Sequence, residues 1–179
     1  MEDKTLKSRI ARYIDAGYPI LYVNTYEEDK VDTIISEISY SKEVYEWNES
    51  NGYIDFETKT PVQEECGLEQ MLDQLKTIDL LDNKLIVLKD TVPYFEEPRI
   101  VSKIKGLARL ISQGADAAII IISSELVIPK DLEKYITILE MDYLDTTEIK
   151  RVINSFIQEW MDGQEVDEKL IDEYAVAFK

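Results

Sequence analysis

Tyr18-Pro19-Ile20-Leu21-Tyr22-Val23-Asn24 runs without a break into Thr25-Tyr26-Glu27-Glu28-Asp29, and this junction sets the class of the domain. The first stretch is short, partly β-branched and not alternating, as expected of a strand covered on both faces. The second opens a helix, because Val31, Ile34, Ile35 and Ile38 beyond it form an i, i+3, i+4, i+7 stripe. A buried strand passing directly into an amphipathic helix is the start of a βαβ unit. In nucleotide-hydrolysing α/β domains, that turn carries G-x-x-x-x-G-K-[ST], whose backbone N–H groups and Lys hold the phosphates. Here it carries no Gly, no Gly-Lys pair and three consecutive carboxylates.

Thr25-Tyr26-Glu27-Glu28 fits the capping-box pattern. Thr25 is expected to accept from the N–H of Glu28, and the Glu28 side chain to reach back to the N–H of Thr25. Donors that would otherwise bind an anion are then satisfied internally. Glu27, Glu28 and Asp29 also complement the helix dipole, the part a phosphate would play. The expectation is a self-capped helix with no phosphate site.

The pattern continues on both sides. Leu6, Ile10, Tyr13 and Ile14 fall at helical spacing, and Gly17 and Pro19 end that helix. Val44 to Trp47 is a second strand, and Asn51-Gly52 joins it to Tyr53-Ile54-Asp55-Phe56 in a hairpin or extension. Glu57 to Gly67 reads as loop. Leu68, Met71, Leu72, Leu75 and Ile78 return to helical spacing. Leu85 to Leu88 is a third strand, ending at Lys89-Asp90, and Ile100, Ile104, Leu107, Ala108 and Ile111 mark the next helix. Ala117 to Ile122 is the fourth strand and Tyr135 to Met141 the fifth, with a short helix over 130–134 between them. Asp145-Thr146-Thr147-Glu148 reads as a second capping box, ahead of a helix that buries Ile149, Val152, Ile153, Phe156, Ile157 and Trp160. A last helix begins near Asp167 and reaches Lys179 with no stop signal, so a fragment of a longer protein is expected. Strands alternating with amphipathic helices predict a parallel sheet with helices on both faces, a three-layer α/β sandwich.

A length of 179 residues suits one domain, or one domain and the start of another. The apolar run from Ala117 to Ile122 is far shorter than the roughly 20 residues that cross a bilayer. The start, Met1-Glu2-Asp3-Lys4, is polar and acidic, so no secretory signal, no membrane partner and a cytoplasmic location are expected. A single cysteine, Cys66, and no histidine exclude a disulfide framework and a Cys/His metal centre. The net charge of −17 opposes phosphate-backbone attraction, so no nucleic-acid partner is expected; it favours solubility or a basic partner surface.

Ligands of open α/β sheets bind outside the C-terminal ends of the strands. Asp90 follows an apolar strand as the magnesium-orienting Asp of an ATPase does, but Thr91 stands where a water-activating Glu would follow. Asp90, Ser123 and Ser124 are therefore the cofactor-binding candidates, and no catalytic or metal-ligating residue is assigned. An acidic pair after the first strand and a Lys after the fifth, which a phosphorylatable receiver requires, are both missing. Cys66 reads as an inert thiol. Tyr45, Trp47, Tyr53 and Phe56 concentrate aromatic rings around the hairpin; core packing is the default, with Tyr45, Trp47 and Tyr53 as candidates for an interaction surface.

Pro19 to Glu28, Val44 to Asn48, Leu85 to Asp90 and Ile120 to Ser124 together resemble the N-terminal region of a group of AAA-type ATPases. These occur in bacteria, and in cyanobacteria and plastids as conserved hypothetical reading frames. Such proteins look like two ATPase-like modules in tandem, the first with a T-x-E-E-type segment in place of the phosphate loop. The resemblance implies a five-stranded parallel sheet in the order 5-1-4-3-2, P-loop-NTPase-like but without the P-loop. It implies a degenerate AAA/RecA-like domain over 1–160 and the start of a truncated helical lid over 161–179. The function implied is a non-catalytic regulatory or partner-binding domain, with ATP and magnesium used by a downstream module of the same chain, in an assembly that includes a homo-oligomeric ring. The alternatives are a domain that binds ATP without a standard loop and a stand-alone interaction adaptor.

Overall fold

The computed structural model describes residues 5–39, 41–141, 146–160 and 167–177. The chain divides into two compact units, Met1–Met141 and Asp142–Lys179. This break precedes the helix over 146–160, whereas the sequence placed the boundary after Trp160.

The larger unit opens with α1 (Leu6–Asp15), which Thr5 caps by accepting from the N–H of Ser8. Gly17, at φ +73°, closes it: its N–H bonds Ile14 O and the N–H of Tyr18 bonds Tyr13 O, the paired bonds of a left-handed stop. The chain continues through β1 (Ile20–Asn24), α2 (Glu28–Ile38), β2 (Glu43–Asn48), β3 (Gly52–Asp55), β4 (Pro61–Gln63), α3 (Leu68–Gln74) and α4 (Ile78–Leu81). It ends with β5 (Lys84–Leu88), α5 (Pro98–Ser112), β6 (Ala117–Ser123) and β7 (Ile136–Glu140).

The strands form one sheet in the order β4-β3-β2-β5-β6-β1-β7. Its five parallel members, β7, β1, β6, β5 and β2, lie in the order expected for strands five, one, four, three and two. The sheet as a whole is seven-stranded and mixed, which corrects the five-stranded, all-parallel expectation. The additions are β3, antiparallel to β2, and β4, antiparallel to β3. Only three residues join β2 to β3, and so short a connection permits an antiparallel neighbour alone. Asn48 Oδ1 accepts from the N–H of Asn51 in that turn, and Gly52 follows at φ +66°. A Cβ on Gly52 would sit 3.0 Å from the carbonyl oxygen of Cys66, so glycine also admits the neighbouring backbone. β4 lies within the stretch read as loop; it is three exposed residues at the sheet edge, led by Pro61, as an edge strand tolerates.

Alternate residues of each strand enter opposite cores. Ile20, Tyr22, Ile86, Leu88, Ile119 and Ile121 pack with Met71 and Leu72 of α3 and Ile104 and Leu107 of α5. Leu21, Val23, Leu85, Val87, Ile120 and Ile122 pack with Leu6 and Ile10 of α1 and Val31 and Ile35 of α2. Two buried faces are why these strands read as apolar runs, and each such side chain contributes about 1.5–3 kcal/mol by leaving water.

The smaller unit contains α6 (Thr146–Trp160) and α7 (Glu168–Ala177), packed together with Ile149, Ile171 and Ala175 buried. Lys150 Nζ pairs with Asp172 at 2.5 Å, and Asp167 accepts from the N–H of Lys169 to cap α7. The capping box expected at 145–148 begins on Asp145, outside the described residues. No helix among the described residues is long and apolar enough to cross a membrane.

Candidate functional site

The C-terminal ends of β1, β2, β5 and β6 bring together the segments where a nucleotide would sit in this architecture. At the end of β1, the N–H of Thr25 donates to Ser123 O at 3.0 Å, extending the β1–β6 ladder by one rung. Its hydroxyl oxygen accepts from the N–H of Glu27 at 2.9 Å. The helix starts at Glu28, with Glu27 as its N-cap and no side-chain capping bond. The expected Thr25–Glu28 capping box therefore does not form. Because α2 begins later than the pattern suggested, Thr25 closes a tight turn ahead of the helix, and the Glu28 side chain is left to look elsewhere.

It faces Lys89. This residue follows β5, is 8 % exposed, and points its ammonium toward α2 and β2. Lys89 Nζ lies 2.7 Å from Asp32 Oδ2, 3.7 Å from Glu46 Oε1 and 3.8 Å from Glu28 Oε2. Glu46, only 3 % exposed within β2, is held further by Lys59 Nζ at 2.6 Å and by the Asn48 amide at 2.8 Å. Lys59 Nζ also lies 3.6 Å from Asp32 and 4.0 Å from the centre of the Phe56 ring.

Burial alone would push the Glu46 carboxyl up, but the bonds from Lys59 and Asn48 and the charge of Lys89 hold it below the ordinary carboxylate range. Burial works against the Lys89 ammonium too; the bond to Asp32 and the charges of Asp32, Glu46 and Glu28 outweigh it and hold its pKa above the ordinary lysine value. Burial raises Glu28, with Lys89 pulling the other way and Asp90, Asp32 and Glu46 reinforcing the rise.

These directions predict a two-sided pH profile. The contribution of Glu46 is present above its ordinary pKa of 4.5 and disappears as pH falls through its lower folded-state value. That of Lys89 is present below 10.5 and disappears as pH rises through its higher folded-state value. Tyr94, pushed up to about 12 by its bond to Glu49, adds a contribution present below 10.0 and lost between the two. Glu28 opposes Glu46: its raised pKa favours folding at low pH and loses that effect as pH rises through the folded-state value. In urea unfolding across pH, the advantage of the wild type over Glu46→Gln should shrink steadily below about pH 4.5. A difference independent of pH would show that Glu46 is not ionised in the fold.

The polarity of this cluster is the reverse of a phosphate site. There, a cation on the loop before the helix meets phosphates, and an acid at the end of a neighbouring strand orients the metal. Here, the helix supplies the acids, Glu28 and Asp32, and the strand end supplies the cation, Lys89. The sequence reading singled out neither Lys89 nor Glu46. One signal was available: Glu46 alternates with Val44 on a face that must be buried, and an acid there requires a partner.

The three sequence candidates lie around this cluster without joining it. Asp90 is exposed, at φ +55°, and accepts from the N–H of Glu49 at 3.3 Å. Ser123 is half-buried and its hydroxyl accepts from the N–H of Glu125 at 3.1 Å, while Ser124 is exposed. Asp90 and Ser123 are thus each engaged by a local backbone donor. Tyr45, Trp47 and Tyr53 do not form an exposed surface. Trp47 is 2 % exposed, donates from Nε1 to Cys66 O at 3.0 Å and meets the Tyr94 ring edge-on at 5.5 Å. Tyr53 is buried against Tyr45, with centroids 5.5 Å apart; only Tyr45 is half-exposed, and its hydroxyl donates to Glu43. Two of the three interaction candidates are therefore core residues, placed there by the period of β2 and β3. Cys66 is buried, and burial pushes its thiol up, away from nucleophilic use.

Residues 6–141 match the family described as SpoVK-like AAA ATPase, N-terminal domain. The chain is 32 % identical over 152 residues to an uncharacterized AAA domain-containing protein ycf46 of Trieres chinensis, covering 79 % of this chain and 30 % of the relative. A protein of the same description from Pyropia yezoensis is 33 % identical over 146 residues, covering 78 % and 29 %. The chain thus spans about 30 % of the length of these curated relatives. Among solved structures, a chain in the E. coli MS115-1 HORMA:CdnC:Trip13 complex aligns with a TM-score of 0.55 at 9 % identity, over 95 % of this chain and 71 % of that one. At that identity the likeness speaks for the fold alone. The family match covers the whole seven-stranded unit, and on that ground the chain belongs to the N-terminal domains of SpoVK-like AAA ATPases.

Proposed function

We propose that this chain is a non-catalytic regulatory or partner-binding domain of an AAA-type ATPase, with ATP and magnesium used by a downstream module. The observation that supports it best is the reversed polarity at the β1–α2 junction. A triphosphate approaching α2 would meet Glu27, Glu28 and Asp29 in the first turn and no Gly-Lys pair. Lys30 of that turn is already 3.8 Å from Glu27, and recruiting the strand-end cation would mean detaching Lys89 from Asp32 at 2.7 Å, exposing two acids to the phosphate charge. The degenerate first module, its place in a ring with other copies and a cytoplasmic location belong to the same reading.

Calorimetric titration with ATP and magnesium tests it. The expected result is no saturable binding tighter than about 1 mM. Saturable binding well below that, abolished by Asp90→Ala, would establish the rival nucleotide site built on Asp90 and Ser123.

A further inference from the structure

Next to the closed charge cluster, the same rim of the sheet holds apolar side chains out in water. Tyr26, in the turn after β1, is 87 % exposed. Leu126 and Val127, just beyond β6, are 47 % and 41 % exposed. These segments leave adjacent strands in step, since Asn24 pairs with Ser123 and the N–H of Thr25 bonds Ser123 O. The loop after β6 is anchored from below. The hydroxyl of Tyr22, a residue with no exposure, donates to Glu125 O at 2.5 Å and accepts from the N–H of Val127 at 3.4 Å. The backbone on either side of Leu126 is therefore tied to the core, and its side chain is left half in water. A loop backbone already tied on both sides of Leu126 has less freedom to lose on docking.

The surroundings decide the occupant. Glu27 and Asp29 flank Tyr26, and Glu125 precedes Leu126, all of them exposed. Lys30, 3.8 Å from Glu27, offsets only part of that charge. A second copy would bring acid to acid in a chain of net charge −17, which disfavours self-pairing here. We propose that the Tyr26–Leu126–Val127 rim docks a cationic amphipathic protein segment, its apolar side chains against this patch and its Lys or Arg residues against Glu27, Asp29 and Glu125. Electrostatic attraction orients such a segment and raises its association rate, while the apolar contact supplies most of the affinity.

The surface rests on the reading of this chain as a partner-binding domain, but its test is separate. The probe is a fluorescein-labelled peptide with Leu and Lys at amphipathic-helix spacing, titrated with the whole chain and followed by anisotropy. Saturable binding is expected, weakened about tenfold by Leu126→Ser/Val127→Ser, and likewise by Tyr26→Ala. Glu27→Lys/Asp29→Lys should also weaken it, with a reduced salt dependence. Asp79→Lys, an exposed acid at the opposite end of the sheet, should leave it unchanged. No saturable binding, or equal losses with Asp79→Lys, would overturn the surface, as would self-association that Leu126→Ser abolishes. A positive ATP titration would remove the non-catalytic reading and leave this measurement standing.

Discussion

Lys89→Met should lower the unfolding free energy by about 3–5 kcal/mol, read as a fall in the urea midpoint with an unchanged slope. The side chain is 10 % exposed and serves two acids that have little water of their own, Glu46 at 4 % and Asp32 at 21 %. Removing the cation leaves Asp32 with only the longer 3.6 Å contact to Lys59, and Glu46 with Lys59 and the neutral Asn48 amide. The cost is mainly that of uncompensated buried charge, so it should be recoverable by removing the charge as well. Asp32→Leu/Glu46→Met/Lys89→Met should return most of the lost stability, since well-packed apolar replacements of a buried ion cluster are often neutral or better. Lys59, half exposed, is free to turn its ammonium into solvent in that variant. If Lys89→Met cost less than about 1 kcal/mol, the cluster would be hydrated like a surface pair, and the closed-site account of the junction would fail.

The architecture was largely legible because burial on both faces writes itself into local sequence. Leu85 to Leu88 and Ala117 to Ile122 could be little else than central strands, and Gly17 marked the end of α1 by the same chemistry the structure shows. The strand order rested on family resemblance, since nothing in a strand's own residues names its neighbours. β4 escaped because three exposed edge residues carry no hydrophobic period. The Thr25–Glu28 pattern misled for a local reason: a threonine that accepts a backbone N–H two residues on resembles a cap that accepts three residues on, and only the helix start separates them. The Lys89 cluster was the least legible. Asp32, Glu46 and Lys89 are far apart in sequence and meet only because β2 pairs with β5 while α2 crosses that face. Spacing cannot encode such a meeting; only the misplaced acid in β2 hinted at it.

Trp47→Ala should cost about 3–5 kcal/mol in the same urea assay, the range for emptying a large aromatic from a packed core. The ring fills the layer beneath α3 and α5, stands edge-on to Tyr94, and satisfies the carbonyl of Cys66. Trp47→Phe keeps most of the volume but leaves that acceptor without its donor, a smaller loss of about 1–3 kcal/mol. Tyr26→Ala, on the exposed rim, should fall within about 0.5 kcal/mol of wild type, so stability alone separates the two kinds of aromatic. In a Trp160→Phe background, emission reports Trp47 alone, and it should be blue-shifted and shielded from acrylamide in the native chain. Red-shifted, freely quenched emission together with a near-neutral Trp47→Ala would return Trp47 to the surface. The hairpin of β2 and β3, rather than the Tyr26–Leu126–Val127 rim, would then be where a partner binds.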